Sequence, residues 1–230
     1  MNTFFYLFIV FFTYSVIGWM VESLYVGIKF KNFINRGFLI GPYCPIYGCG
    51  SLVMILYLEQ YRDNPFTVFL LAVVICSFLE YITSYIMEKA FKTRWWDYSD
   101  EKFNLNGRIC GKNALLFGFG GIGVIYFGHP FLNNIYNMIG DKALLIITII
   151  CMLIFIVDVV ISFNVINRFK KTVTSIDLKR DSTQDFKKMV SETIMENRKV
   201  FQSRLLKAFP NINPNRFKEF SNGIKTRLKM

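Results

Sequence analysis

The sequence predicts an all-α fold: a polytopic membrane helix bundle of about five spans, followed by a basic helical cytoplasmic tail. Three observations predict it. The 230 residues are 53% hydrophobic, 17% aromatic and only 19% charged, more apolar than is usual for a soluble domain of this length. The apolar residues gather in runs long enough to cross a bilayer, about 20 residues at 1.5 Å rise each. The charge is also lopsided. Residues 1–167 hold 11 Lys/Arg against 10 Asp/Glu, whereas residues 168–230 hold 16 against 6. By composition the chain therefore divides into a transmembrane bundle, 1–167, and a basic tail, 168–230.

The first run, Phe4 to Ile28, is interrupted by Glu22. It has no positively charged leading region and no small-x-small site after it, so it is expected to be an uncleaved first helix. The second, Cys44 to Leu58, is short and opens on Pro42 and Pro45, which break helices. It is counted as a span, with a re-entrant hairpin as the alternative. Pro65 to Lys89 follows, interrupted by Glu80, and then Asn113 to Gly128, which is uncharged and glycine-rich. Lys142 to Asn167, interrupted by Asp158, is the last. In the tail, Phe186, Met189, Val190, Phe201 and Leu205 recur near helical spacing between Ser182 and Phe209, and Pro210 and Pro214 end the pattern.

Loop charge orients the bundle. With five spans, Lys29, Lys31, Arg36, Lys89, Lys92, Arg94, Lys102, Arg108 and Lys112 share a side with the tail, and only Arg62 and Lys142 face the other. Nine against two is a positive-inside bias. It predicts a multi-pass protein of the cell membrane with its N-terminus outside and its C-terminus in the cytoplasm. With four spans the N-terminus would move inside.

Charged side chains within spans cost roughly 2.5–3.5 kcal/mol each on insertion scales. Glu22, Glu80 and Asp158 lie about 9, 13 and 15 Å from the cytoplasmic ends of their runs. Together with Arg36, Asp97 and Arg108 from the two long inner loops, they make a candidate substrate or coupling pocket. Gly37, Gly41, Pro42, Pro45 and Gly48 give the first loop an irregular backbone, tolerated at membrane depth where it lines a cavity or is buried in protein. Trp95, Trp96 and Tyr98 suit an interfacial anchor. The bland alternative is that the buried charges only specify helix packing.

Other chemistry finds little support. Five cysteines at irregular spacing and a single histidine, His129, give neither a disulfide framework nor a metal set, so no metal and no cofactor is expected. Gly118-x-Gly120-Gly121-x-Gly123 lies inside an apolar run rather than after a strand, and close helix approach accounts for it better than nucleotide binding. No nucleophile–base pair is evident, so the sequence does not point to an enzyme. The expected partners are the lipid bilayer and anionic lipid at the basic tail, worth about 1 kcal/mol per Lys or Arg at the surface. No nucleic acid is expected, because no binding module is recognisable.

The two inner loops also carry a family resemblance. Asn35-Arg36-Gly37-Phe38-Leu39-Ile40-Gly41-Pro42-Tyr43-Cys44-Pro45-Ile46-Tyr47-Gly48 resembles the signature of the putative ABC-transporter type IV family. Glu80-Tyr81, Met87-Glu88, Arg94-Trp95-Trp96-Asp97-Tyr98-Ser99 and Asn104-Leu105-Asn106-Gly107-Arg108 are similar to its later motifs, and Gly18-Trp19 with Glu22 fits its first helix. The resemblance is strong from about Gly18 to Gly123 and weak in the tail. It implies a bacterial membrane protein of the kind labelled ABC transporter permease, working with a cytoplasmic ATPase subunit. The chain has no P-loop of its own. Two other readings stay open: a membrane-embedded enzyme or lipid-binding protein at the inner leaflet, and a regulatory or scaffold protein recruiting a partner through its tail.

Overall fold

The computed structural model describes residues 1–31, 35–91 and 94–177, with side chains for all of these but 29, 30 and 166–177. The tail helix expected over Ser182–Phe209 lies outside the described residues. The regular elements described are all helical, and no strand occurs among them.

Helix α1, Thr3–Phe30, starts where the Asn2 side chain accepts the Phe4 N–H at 3.0 Å. It stops at Lys31, which takes up a left-handed φ of 52°. Helix α2, Pro45–Leu58, opens on a proline, whose fixed φ and missing N–H suit a first helical position. A 3₁₀ turn, Glu59–Tyr61, extends it. Helix α3, Pro65–Phe91, begins after Asn64, whose Oδ1 accepts the Thr67 N–H at 3.1 Å. Helix α4, Gly111–Ile122, passes through a π-helical stretch, Gly123–Gly128, into α5, His129–Ile139. Gly140, with φ of +80°, turns the chain into α6, Asp141–Asp177.

Among the described residues four helical stretches are long and apolar enough to cross a membrane: Thr3–Ile28, Pro65–Phe91, Gly111–Ile139 and Asp141–Val165. The expected span at Cys44–Leu58 is not among them. Helix α2 has 14 residues, about 21 Å against a hydrocarbon core of about 30 Å. The last stretch has a mean hydropathy of 3.2, and only 17% of its most apolar window is buried within the protein. Ile150, Leu153 and Val157 stand exposed on it. Apolar helices with apolar outer surfaces have lipid as their solvent, so this is a multi-pass membrane protein.

The chain forms two compact units. The first joins Met1–Thr83 to Tyr98–Val159, and the second joins Ser84–Asp97 to the part of α6 that follows Val159. Val10, Met54, Leu58, Val68, Ala72 and Ile125 centre the core of the first unit. Its helices touch through glycine. A Cβ on Gly121 would lie 2.3 Å from the Ala72 Cβ, and one on Gly118 would lie 2.4 Å from the Phe69 ring. The Met1 ammonium pairs with Asp141 at 2.9 Å, so α1 and α6 begin at the same end of the bundle. In the second unit the Phe91 ring packs edge-on against Trp95 and Phe163. Arg94, itself buried, pairs there with Glu88 at 3.1 Å and Asp97 at 3.5 Å.

Candidate functional site

The site lies in the first unit, where two irregular segments fold back onto the helices they follow. The first is residues 35–44. The Trp19 indole N–H donates to Asn35 Oδ1 at 2.7 Å, and the Cys44 N–H donates to the Ser15 carbonyl at 2.8 Å. The segment therefore climbs from the end of α1 back to its middle before α2 starts. Gly37 makes the turn with φ of +107°, a conformation an L side chain rarely adopts.

Asp158 of α6 holds this segment. Its carboxylate accepts the Ile40 N–H at 3.1 Å, the Gly41 N–H at 2.6 Å and the Tyr43 hydroxyl. Two peptide N–H groups that have no helix or strand to join thus find an ionisable acceptor, as buried backbone donors must. The same contacts give the buried carboxylate the hydrogen bonds it needs at membrane depth.

Beside the segment, Glu22 pairs with Arg36 at 3.6 Å, and the Cys44 thiol lies 3.8 Å from its other oxygen. Tyr47, one turn into α2, packs on Gly18 so closely that a Cβ there would sit 2.3 Å from its ring. Its hydroxyl lies within electrostatic reach of Glu22, Cys44, Tyr98 and Glu80. Tyr47, 37% exposed, thus stands near side chains of both irregular segments.

Glu80 belongs to α3 and is 7% exposed. One oxygen accepts the Tyr98 hydroxyl at 3.2 Å, and the Asn113 side chain bonds the carboxylate as well. The second oxygen, Oε2, is buried and has no hydrogen-bond partner. Tyr98 comes from the second irregular segment, residues 98–110, fixed by its own N–H donating to the Gly107 carbonyl at 2.8 Å. Burial, and then the neighbouring Glu80 charge, push the Tyr98 phenol well above its usual range, so it stays a donor. Asn106 donates to the Tyr81 hydroxyl at 3.0 Å, and the buried Arg108 lies over the Tyr81 ring at 5.7 Å.

Of the side chains expected in a pocket, Glu22, Arg36 and Glu80 gather around Tyr47. Asp158 is engaged by the backbone of the first loop, and Arg108 is stacked on Tyr81. Asp97 pairs with Arg94 in the second unit. Among the residues expected to shape the loop, Gly37 supplies the turn, Gly41 donates to Asp158 and Pro45 starts α2. Gly48 lets α2 approach Ser15 and the Phe11 carbonyl, and Pro42 sits in the bend between Gly41 and Tyr43. Of the aromatic trio expected at the membrane interface, Trp95 is 3% exposed and packs on Phe91, while Trp96 and Tyr98 are half-buried. Sequence reasoning did not single out Tyr43, Tyr47 or Asn113. The signal for the tyrosines was present: a four-residue spacing in a Gly/Pro-rich segment beside acid-bearing helices.

Residues 9–163 match the model of the family described as Putative ABC-transporter type IV, about two thirds of the chain. The chain belongs to that family. The match takes in both irregular segments, Glu22, Glu80 and Asp158, and it ends before the tail. No curated protein and no solved structure matches the chain.

Proposed function

We propose that this chain is the membrane-spanning component of a transport system, with its solute or coupling site around Glu80 in the cytoplasmic half of the bundle. The observation that carries this is the Oε2 atom of Glu80, buried at a helix face and lacking a partner. A carboxylate oxygen in that state is unfavourable until a proton, a cation or a donor group of a solute reaches it. Glu22 and Arg36 form the adjoining wall, Tyr47 and Tyr98 line it, and Asp158 sets the position of the loop that closes it. The family's description supports transport as the class of activity.

The proposal includes a topology. Met1 and Asp141 pair at one end of the bundle, so the chain crosses an odd number of times between the end of α1 and the start of α6. Helix α3 and the stretch Gly111–Ile139 supply two crossings. The third is assigned to residues 35–58, half irregular chain and half helix, which gives five crossings and opposite sides for the two ends. Loop charge then favours the N-terminus outside and the 168–230 segment in the cytoplasm, where it would meet anionic lipid. A cytoplasmic ATPase subunit would dock on the same side.

The test combines partner capture with flux. Membranes carrying wild type or Glu80→Gln are cross-linked and purified, and solute uptake and efflux are profiled in cells lacking the chain and in cells complemented by each form. The expected result is an ATPase recovered with both forms and a flux restored only by wild type. Recovery of no ATPase, with a flux profile unchanged by deletion, refutes the reading. Full flux with Glu80→Gln refutes the site.

A further inference from the structure

A groove of about 620 Å³ lies between the second irregular segment and the start of α4. Its volume falls in the range usual for small-molecule sites. Residues 100–103 make one wall, and Gly111, Lys112, Ala114 and Leu115 make the other. The walls meet where a Cβ on Gly111 would lie 3.1 Å from the Phe103 Cβ. The irregular wall is held by its own hydrogen bonds. Asn104 Nδ2 donates to the Ser99 carbonyl at 3.1 Å and to the Glu101 carbonyl at 2.8 Å, and Asn104 Oδ1 accepts the Gly107 N–H at 3.1 Å. Within this turn Phe103 takes a φ of 54°, rare for an aromatic residue, and stands 90% exposed.

Two features of the groove point to its ligand. The first is charge. Asp100, Glu101, Lys102 and Lys112 all line it, all four are exposed, and none of them forms an ion pair among the described residues. Two ammonium groups and two carboxylates around one cavity, unpaired with one another, suit a ligand that carries both signs. The second is position. The groove lies at the first residues of Gly111–Ile139, a stretch able to cross the membrane, so it sits at the boundary between hydrocarbon and water. From there an apolar strip continues along α4. Leu115 lines the groove, and Phe119, four positions on, shares its helix face; both are exposed.

A ligand matched to this arrangement has a polar end bearing an anion and a cation, and an apolar end that follows Leu115 and Phe119 into the bilayer. We propose that the groove binds the headgroup of a zwitterionic aminophospholipid, with its phosphate at Lys102 and Lys112, its ammonium at Asp100 and Glu101, and an acyl chain along Leu115 and Phe119. The same lipid would cover the exposed Phe103 ring. A purely anionic headgroup would bring its charge against the two carboxylates, and a soluble zwitterion would leave the apolar strip uncovered. The groove is separate from the basic tail and stands on side chains other than those of the Glu80 reading.

Photo-cross-linking tests this. Full-length protein in phosphatidylcholine nanodiscs receives a trace of phosphatidylethanolamine carrying a diazirine near the top of one acyl chain, and the labelled peptides are mapped by mass spectrometry. Ile150, Leu153 and Val157, exposed on α6, report ordinary contact with surrounding lipid. The expected result is labelling at 115–119 in excess of that on α6, removed by added phosphatidylethanolamine but not by the same amount of phosphatidylglycerol. Lys102→Gln and Lys112→Gln should each lower the excess about fivefold, with α6 labelling unchanged. A second variant, Asp100→Asn with Glu101→Gln, should let phosphatidylglycerol compete as well as phosphatidylethanolamine does. Labelling at 115–119 no greater than on α6 overturns the proposal, and so does equal competition by phosphatidylglycerol in the wild type. Displacement by soluble glycerophosphoethanolamine, or lysine variants that label like the wild type, would overturn it too.

Discussion

Asp158→Ala offers the most direct test of how the first irregular segment is held. The substitution removes the acceptor of the Ile40 N–H, the Gly41 N–H and the Tyr43 hydroxyl at once. Each buried donor left unmatched costs about 1–3 kcal/mol, which gives about 3–9 kcal/mol if none finds a substitute. Membrane proteins fall toward the low side of such ranges, because the unfolded helices in lipid find partners too. The expected loss is therefore about 3–5 kcal/mol. Asp158→Asn keeps one acceptor oxygen and should lose about half as much. Reversible unfolding in mixed micelles gives the free energies, and hydrogen exchange resolved at Ile40 and Gly41 gives the mechanism. Both amides should exchange faster in Asp158→Ala while amides inside α3 keep their protection. A loss below about 1 kcal/mol, or unchanged exchange at these two amides, refutes the reasoning, since a charged acceptor held by three donors is normally worth more.

Three further outcomes follow from the packing and the charges. Gly48→Ala should destabilise by about 1–3 kcal/mol, because its Cβ would lie 2.4 Å from the Phe11 carbonyl oxygen, whereas at Gly50 the nearest atom is 3.8 Å away and alanine should be neutral or slightly stabilising; equal melting temperatures for the two variants would sink this account. Arg94→Ala removes the guanidinium that Glu88 and Asp97 share and should cost about 3 kcal/mol, partly recovered on adding Glu88→Gln and Asp97→Asn, and a triple variant no more stable than the single one contradicts it. Burial, and then Glu80, raise the Tyr98 phenol, so its contribution to stability is complete below the ordinary phenol pKa of about 10 and is lost as pH rises beyond it; between pH 8 and 11 wild type should lose melting temperature more steeply than Tyr98→Phe, and parallel curves would count against the Glu80–Tyr98 pair.

Much of the architecture was readable because lipid leaves few options. A run such as Pro65–Phe91 can satisfy its backbone in hydrocarbon only as a helix, so length and composition suffice to find it. The helical breaks at Pro45 and the close approaches at Gly118 were also legible, from residue types whose backbone rules are strict. The partnerships were not. Glu22 and Arg36 are 14 positions apart, and Tyr43 and Asp158 are 115 apart. Periodicity along one helix says which face a carboxylate is on but not which loop returns to meet it. The π-helical stretch before His129 was equally invisible, since no residue type in GVIYFG marks a shift in helical hydrogen bonding.

The three carboxylates that interrupt apolar runs in the first unit, Glu22, Glu80 and Asp158, looked alike in the sequence, and their surroundings divide them. Asp158 is held by two peptide N–H groups and a phenol, so anything that bound it would first displace the chain's own loop. Glu22 has a guanidinium at 3.6 Å and a thiol beyond it, so a cation arriving there competes with Arg36. Glu80 bonds only neutral groups, Tyr98 and Asn113, through part of its carboxylate and keeps one buried oxygen unmatched. A ligand reaching Glu80 displaces no internal partner from that oxygen. Among carboxylates within spans, the one that loses least on binding is the one where exchange between occupied and empty states is easiest. A transport site needs that property, because solute must leave as well as enter. Neutralising Glu22 or Asp158 should therefore act chiefly on stability, and neutralising Glu80 chiefly on flux. A set of Gln and Asn variants in which flux follows melting temperature alone would place all three in the scaffold.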